Sequence, residues 1–153
     1  MNNAEQPFAL EAFLPYRLMR IAELVSQDFS SIYRRKYGLN RPEWRCLATL
    51  GQFGRTTAKA IGEHSAMHKT KVSRAVAELE RRGWLKRKAD PQDRRVEHLS
   101  LTDDGRTAFR SLVPLAGEFE ANLQSDLGDR RIDQFLAGLE AMEQRFGIPS
   151  NEM

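Results

Sequence analysis

Along most of this chain the apolar residues recur three and four positions apart, a spacing that predicts amphipathic helices. Pro15 suits the first turn of a helix running to about residue 37, with Leu18, Ile21, Ala22, Val25, Phe29, Ile32 and Tyr33 in one stripe and Gly38 as its stop. Asn40 suits an N-cap, with Pro42 just inside a second helix that places Trp44, Leu47, Ala48 and Leu50 for burial and closes at Gly51 and Gly54. A short link at 55–57 leads to a brief helix through Ala60, Ile61 and Glu63, a turn at Ser65, Ala66 and Met67, and a further helix over residues 68–82. Val72, Val76 and Leu79 form the inner stripe of that helix, and Gly83 stops it.

The period then changes to two. Residues 84–88 and 96–101 read as strands, with Leu99 and Leu101 on one buried face, and the turn-rich ADPQDRR between them makes a hairpin. Helical spacing resumes after Thr102, a capping residue followed by Asp103 and Asp104 in the positive first turn. Phe109, Leu112, Val113, Ala116, Phe119, Leu123 and Leu127 carry the stripe past Pro114, where a bend or local break is expected. Gly128 and Asp129 separate a last helix lined by Ile132, Phe135, Leu136, Leu139, Met142 and Phe146. The final IPSNEM is expected to fray.

The pattern gives a mainly α fold with a small β-hairpin wing. Residues 40–101 form a winged helix-turn-helix unit, and residues 8–37 and 102–147 form a helical domain drawn from both ends of the chain. The lead at 8–14 holds Phe8, Leu10, Phe13 and Leu14, which must dock on this chain's own core or on a partner. Wide stripes on three long helices leave more apolar surface than one copy readily covers, so a symmetric homodimer is expected.

Composition narrows the class. A 41% hydrophobic, 29% charged chain is an ordinary globular one. No apolar run approaches the roughly 20 residues of a membrane span, and MNNAEQPFALEAF lacks the basic start and apolar core of a secretory signal. One cysteine, Cys46, leaves no internal disulfide framework, and a cytoplasmic location is the simplest expectation.

Charge changes the picture more. Between His68 and Arg95 there are ten Lys or Arg residues and four Asp or Glu, a net of six positive on a chain whose total is +3. The positive charge therefore sits where a polyanion can be met. In a helix-turn-helix the second helix enters the DNA major groove. His68, Lys69, Thr70, Lys71, Ser73 and Arg74 stand at that helix's start and on its outer side, as residue types that bond base edges or phosphates. On the hairpin, Lys88, Asp93, Arg94 and Arg95 suit a minor-groove probe, with Asp93 placed to hold Arg95 by a charge-assisted bond.

The stretch KTKVSRAVAELERRGWLKR followed by DPQDRRVEHLSLTDDGR resembles the multiple-antibiotic-resistance regulator (MarR) family of bacterial winged-helix transcription factors, most specifically in D-x-x-D-R-R and L-S-L-T-x-x-G. The resemblance implies a triangular homodimer on a near-palindromic double-stranded operator, usually as a repressor relieved by a small ligand. It assigns wing contacts to Asp93 and Arg95, with Arg94 on phosphate. It also implies a cleft between the first, second and fifth helices for small, often aromatic anions, here drawing on Ser26, Phe29, Ser30, Tyr33, Trp44, Arg45 and Arg110. Arg45 would pair with a carboxylate while Phe29, Tyr33 and Trp44 stack on a ring. The plainer reading makes those aromatics core and Arg45 an internal ion pair.

Some relatives sense peroxide through a cysteine near the start of the first helix. Cys46 lies instead in the second, among Trp44, Leu47 and Ala48, and reads as a small core hydrophobe. A redox regulator working through Cys46 and a ligand-independent DNA-binding protein are the alternatives. His64 and His68 are four apart, but the turn between them takes them off a common helix face, and no metal site or cofactor is expected. No Ser-His-Asp set, Gly-rich phosphate loop or carboxylate dyad marks an enzyme.

Overall fold

The computed structural model describes residues 8–149 and shows six helices and one hairpin among them. The start MNNAEQP and the end of the expected frayed tail, 150–153, lie outside the described residues. After a 3-10 turn at Leu10–Ala12 the order is α1 (Leu14–Tyr37), α2 (Arg41–Phe53), α3 (Ala58–His64), α4 (Lys69–Arg81), β1 (Leu85–Ala89), β2 (Glu97–Leu101), α5 (Asp103–Leu127) and α6 (Asp129–Arg145). The fold is mainly helical with a two-stranded antiparallel wing, as the periodicity predicts.

Local chemistry accounts for the element ends. Gly38 leaves α1 in the left-handed region at φ 65°. Asn40 and Glu43 form a reciprocal capping box on α2, each side chain accepting the other's main-chain N–H at 2.9 Å. Thr57 caps α3 by accepting from Ala60 N. Thr102 Oγ1 accepts from Gly105 N at 3.1 Å and donates to Gly83 O at 2.7 Å, so one hydroxyl starts α5 and fastens it to the end of α4.

One expectation fails, and of the bend or local break expected at Pro114 the break does not occur. Gly51 does not close α2, which continues to Phe53 and is capped by Gly54 at φ 74°. Gly51 sits inside the helix because the ring of Phe109 occupies the space a Cβ would need. Pro114 does not break α5, which runs uninterrupted through it; the proline removes one main-chain donor without ending the helix.

The chain divides into two compact units, one reaching Leu112 and one beginning at Val113, with the boundary inside α5. In the first, the core is Tyr33, Leu39, Cys46, Leu47, Leu50, Ile61, Val72, Val76, Leu79, Leu85, Leu99, Leu101 and Leu112, each at most 3% exposed. Leu99 and Leu101 face inward in register with Arg87 and Leu85 across the hairpin. The link at 55–57 is more than a connection: Thr56 and Leu99 exchange both main-chain bonds, at 3.0 and 2.7 Å, and tie it to the free edge of β2.

The stripe of α1 is covered only in its second half. Ser30 and Tyr33 are buried, whereas Leu14, Leu18, Ile21 and Leu24 are exposed, as are Phe8 and Phe13 before them. The lead therefore does not dock on this chain's own core. In the second unit no residue of α6 is buried, and Phe135, Leu136, Leu139 and Phe146 are exposed.

Gly105 lies against the main chain of Trp84, where an added Cβ would overlap the carbonyl. Gly105→Ala should cost about 1–3 kcal/mol through overpacking. Gly117→Ala, in the same helix with nothing within 4 Å of its Cβ position, should gain about 0.5–1 kcal/mol. Chemical denaturation of the two variants beside the parent checks both signs.

Candidate nucleic-acid interface

The helix-turn-helix is built around a short, strained turn. α3 ends at His64, whose ring stands edge-on to Phe53 at 4.9 Å. Ala66 then takes φ 49°, a left-handed conformation that costs an L-residue about 1–2 kcal/mol. His68 caps α4, its Nδ1 accepting from Thr70 N at 3.5 Å. His64 thus ends one helix and His68 begins the next. Val72, Ala75, Val76 and Leu79 anchor α4 in the core. Their spacing turns Lys69, Thr70, Lys71, Ser73 and Arg74 outward, and all five are exposed along with His68.

The wing is organised by a residue that sequence reading passed over. Asp90 Oδ1 accepts from Gln92 N at 2.8 Å and Asp93 N at 3.1 Å, folding the tip, while Oδ2 meets His98 Nε2 at 2.8 Å across the hairpin. These bonds, led by His98, hold the Asp90 carboxyl down to about 2. Asp93 plays a different part from the one expected. Its Oδ1 accepts the main-chain N–H of Arg95 at 3.0 Å and so fixes the backbone at the tip, not the guanidinium. A short side chain two residues upstream reaches the nearby amide before it can reach the end of an arginine. Lys88, Arg94 and Arg95 are exposed.

The net charge of six conceals a division of labour. Arg81 and Arg82 both grip Glu78, at 2.6 and 2.9 Å, and these contacts, led by Arg81, hold its carboxyl down to about 2. Arg87 bridges Glu80 and Glu97 at 2.9 and 3.1 Å. All four acidic side chains of the segment, together with Glu97, are thus engaged within the fold. Lys69, Lys71, Arg74, Lys86, Lys88, Arg94 and Arg95 make no ion pair among the described residues. The unpaired cations are therefore those on the outer side of α4 and on the wing.

Arg82 does something else again. Its Nη1 donates to Tyr37 O at 2.6 Å, its Nη2 reaches Gly38 O at 3.5 Å, and its guanidinium lies 5.3 Å over the Trp84 ring. Tyr37 in turn meets Trp84 edge-on at 5.1 Å and bonds Ser111 at 2.6 Å.

The residues expected to form a ligand cleft fall into two groups. Tyr33 and Trp44 stack at 5.6 Å with their planes 13° apart, and Phe29 closes edge-on against both at 5.4 and 5.3 Å. The three rings fill one another's faces. Ser30 and Arg45 instead line a polar cleft of about 670 Å³ between α1, α2 and the start of α4. Arg34, Arg41, His68 and Lys71 line it too, and its carboxylate, Glu23, is held by Arg41 at 2.9 Å. Ser26 is half-buried on α1 and Arg110 is exposed on α5. Arg34, Arg41 and Lys71 were not expected here; the four- and seven-residue spacings from Ser30 to Arg34 and from Glu23 to Ser30 and the cap-adjacent place of Arg41 were the available signals. Cys46 is fully buried, and burial pushes its thiol up to about 12. It is a neutral core group at physiological pH.

The chain matches the model of the MarR family over residues 39–96. It is similar to the transcriptional repressor MprA of Escherichia coli (strain K12), 35% identical over 83 residues, 50% of this chain and 47% of that protein, so it spans about half the length of that relative. A crystal structure of the MarR family transcriptional regulator SPO1453 from Silicibacter pomeroyi DSS-3 superposes with a TM-score of 0.75 at 33% identity, over 88% of this chain and 98% of that one. The fold is also that of Bordetella bronchiseptica BpsR, whose DNA binding is regulated by 6-hydroxynicotinic acid, with a TM-score of 0.73 at 21% identity over 90% and 97% of the two chains.

Because the folded Asp90 carboxyl lies below its ordinary 3.8, its hold on the wing is complete above that value and is lost as pH falls through about 2. Asp90→Asn should impose the loosened tip at neutral pH. Faster amide exchange at Gln92 and Asp93, with the exchange of α4 unchanged, is the expected result.

Proposed function

The chain belongs to the MarR family, and from that premise we propose that it is a sequence-specific regulator of transcription that binds double-stranded DNA as a homodimer. The observation that carries this reading is the segregation of charge. The acidic groups of the winged unit neutralise cations at its seams and leave the outer side of α4 and the wing positive. Lys69, Thr70, Lys71, Ser73 and Arg74 then serve base edges and adjoining phosphates, with His68 beside a phosphate at the helix start. Arg95 serves the minor groove, and Arg94 and Lys88 serve phosphates.

The homodimer is supported by the exposed apolar faces of the terminal helices: Phe13, Leu14, Leu18 and Ile21 in the first unit, and Leu136, Leu139 and Phe146 in the second. Two recognition helices related by a two-fold axis would read half-sites about 34–36 Å apart on a near-palindromic operator. A cytoplasmic location accords with this work on DNA; among the described residues no helix is long and apolar enough to cross a membrane.

We read the protein as a repressor released by a small anionic ligand. The cleft of Arg34, Arg41, Arg45, His68 and Lys71 supports an anion, since five basic residues face one already paired carboxylate. It adjoins the start of α4, so a ligand there would act on the helix that meets DNA. The cluster of Phe29, Tyr33 and Trp44 lies on the same helices and would have to part to stack on an aromatic ring. Full burial and a raised pKa count against a redox role for Cys46.

Arg95→Ala should weaken binding to an operator duplex by about 1–3 kcal/mol and leave the dimer intact by sedimentation. An unchanged mobility shift would remove the wing assignment. Arg74→Ala should narrow the ratio between operator and random DNA; if only the salt slope changes, the residue touches phosphate.

Phenolic and other aromatic acids in a thermal-shift screen test the ligand. A compound at a hundred times its Kd should stabilise by about 2.7 kcal/mol. Arg45→Ala should erase that gain. No stabilisation by any acid, with DNA held throughout, would leave a ligand-independent binder.

A further inference from the structure

The hairpin has a second face. Alternation along β1 and β2 sends Leu85, Leu99 and Leu101 into the core and puts Lys86, Lys88, His98 and Ser100 on the other side. The register sets Lys86 opposite Ser100 and Lys88 opposite His98. The Thr56–Leu99 bridge then adds a third row to this small sheet. Thr56 pairs with an inward residue, so its neighbour Arg55 falls on the outward face. Arg55, Lys86, Lys88, His98 and Ser100 line one groove of about 260 Å³.

Its charge is not balanced within the fold. Arg55, Lys86 and Lys88 make no ion pair among the described residues. The two nearby carboxylates are already taken, Asp90 by His98 at 2.8 Å and Asp103 by Arg106 at 2.6 Å. Lys86 feels Asp103 only at longer range. Arg87, which also borders the groove, is held by Glu80 and Glu97.

We infer that this outward face of the wing is a second phosphate-binding surface, which takes the DNA backbone flanking the half-site when the wing tip is in its groove. The inference rests on the proposed function above. The shape favours a polyanion over a small ligand: the groove is smaller than the roughly 300–1,000 Å³ of ordinary ligand pockets, and its cations run along strands instead of closing round a point. The position favours DNA, because Lys88 leads along β1 toward the tip that carries Arg94 and Arg95. Asp90 holds His98 between the cations, and the Ser100 hydroxyl supplies a neutral donor beside Lys86.

The test uses a duplex enriched from a random pool by the full-length protein, prepared as the core site and with about one helical turn, roughly 10 bp, added on each side. The parent should bind the extended duplex more tightly than the core and with a steeper salt dependence. The Arg55→Ala/Lys86→Ala variant should keep core binding and melting temperature, lose the gain from the flanks, and show a salt slope on the extended duplex shallower by about one per phosphate contact removed. Arg55→Lys/Lys86→Arg should retain the gain. A parent indifferent to the flanks, or a double-alanine variant with the parent's slope and gain, overturns this inference and leaves DNA binding standing. Failure of the parent to enrich or bind any duplex overturns both.

Discussion

Arg82 is the residue on which the geometry of the winged unit depends. It closes α4 by bonding Glu78, donates to the last carbonyl of α1 at Tyr37, and covers the Trp84 ring at the entry to β1. The end of α4, the entry to the hairpin and the helix leading into the unit are therefore referred to one guanidinium. A planar group with five fixed donors can serve three elements at once; a lysine in its place would serve one. Tyr37, held by both Trp84 and Ser111, extends the same junction to α5.

That junction explains why charge in this segment cannot be read by counting. Ten cations lie between residues 68 and 95, but Arg81, Arg82 and Arg87 work inside the fold. The carboxylates that hold them are local: Glu78 serves its own helix, and Glu80 and Glu97 serve the seam between α4 and the hairpin. What remains unpaired is a smaller set in a narrower place. The same selection gives the polar cleft its sign, since Arg41 holds Glu23 and leaves Arg34, Arg45 and Lys71 without an ion pair among the described residues.

Much of this was legible in the sequence, for physical reasons that vary by residue. Helical spacing and caps gave the element order, because Asn40 and Thr102 act on amides within three residues of themselves, while the cap at Thr57 emerged only in the fold. The outward residues of α4 followed from the stripe of Val72, Val76 and Leu79. Gly51 and Pro114 do not end their helices, because the surroundings of each residue outweigh its local preference. One is a glycine required by a ring 58 positions away in sequence, and the other is tolerated by a helix long enough to run through it. Asp93 lies at the tip as expected but makes a different bond, while the tie of Asp90 to His98 and the Thr56 bridge escaped notice because those partners lie across the hairpin or beyond it. The aromatic trio and the polar cleft could be expected on the same helices, but only the fold shows that the rings satisfy one another while Arg34 and Arg45 make no ion pair among the described residues.

The Thr56–Leu99 bridge has a further consequence for life in a crowded solution. A two-stranded ribbon offers two open edges to any extended chain that drifts by, and open edges are where proteins stick to copies of themselves. The bridge occupies the edge of β2, so β1 is the outer strand of the little sheet. Its sequence is LKRKA, three consecutive cations in five residues. A neighbouring copy that tried to add its own β1 there would bring like charges together along the new seam. The lysines that give the wing its outward charge therefore also guard the open edge of β1 against pairing with its own copies.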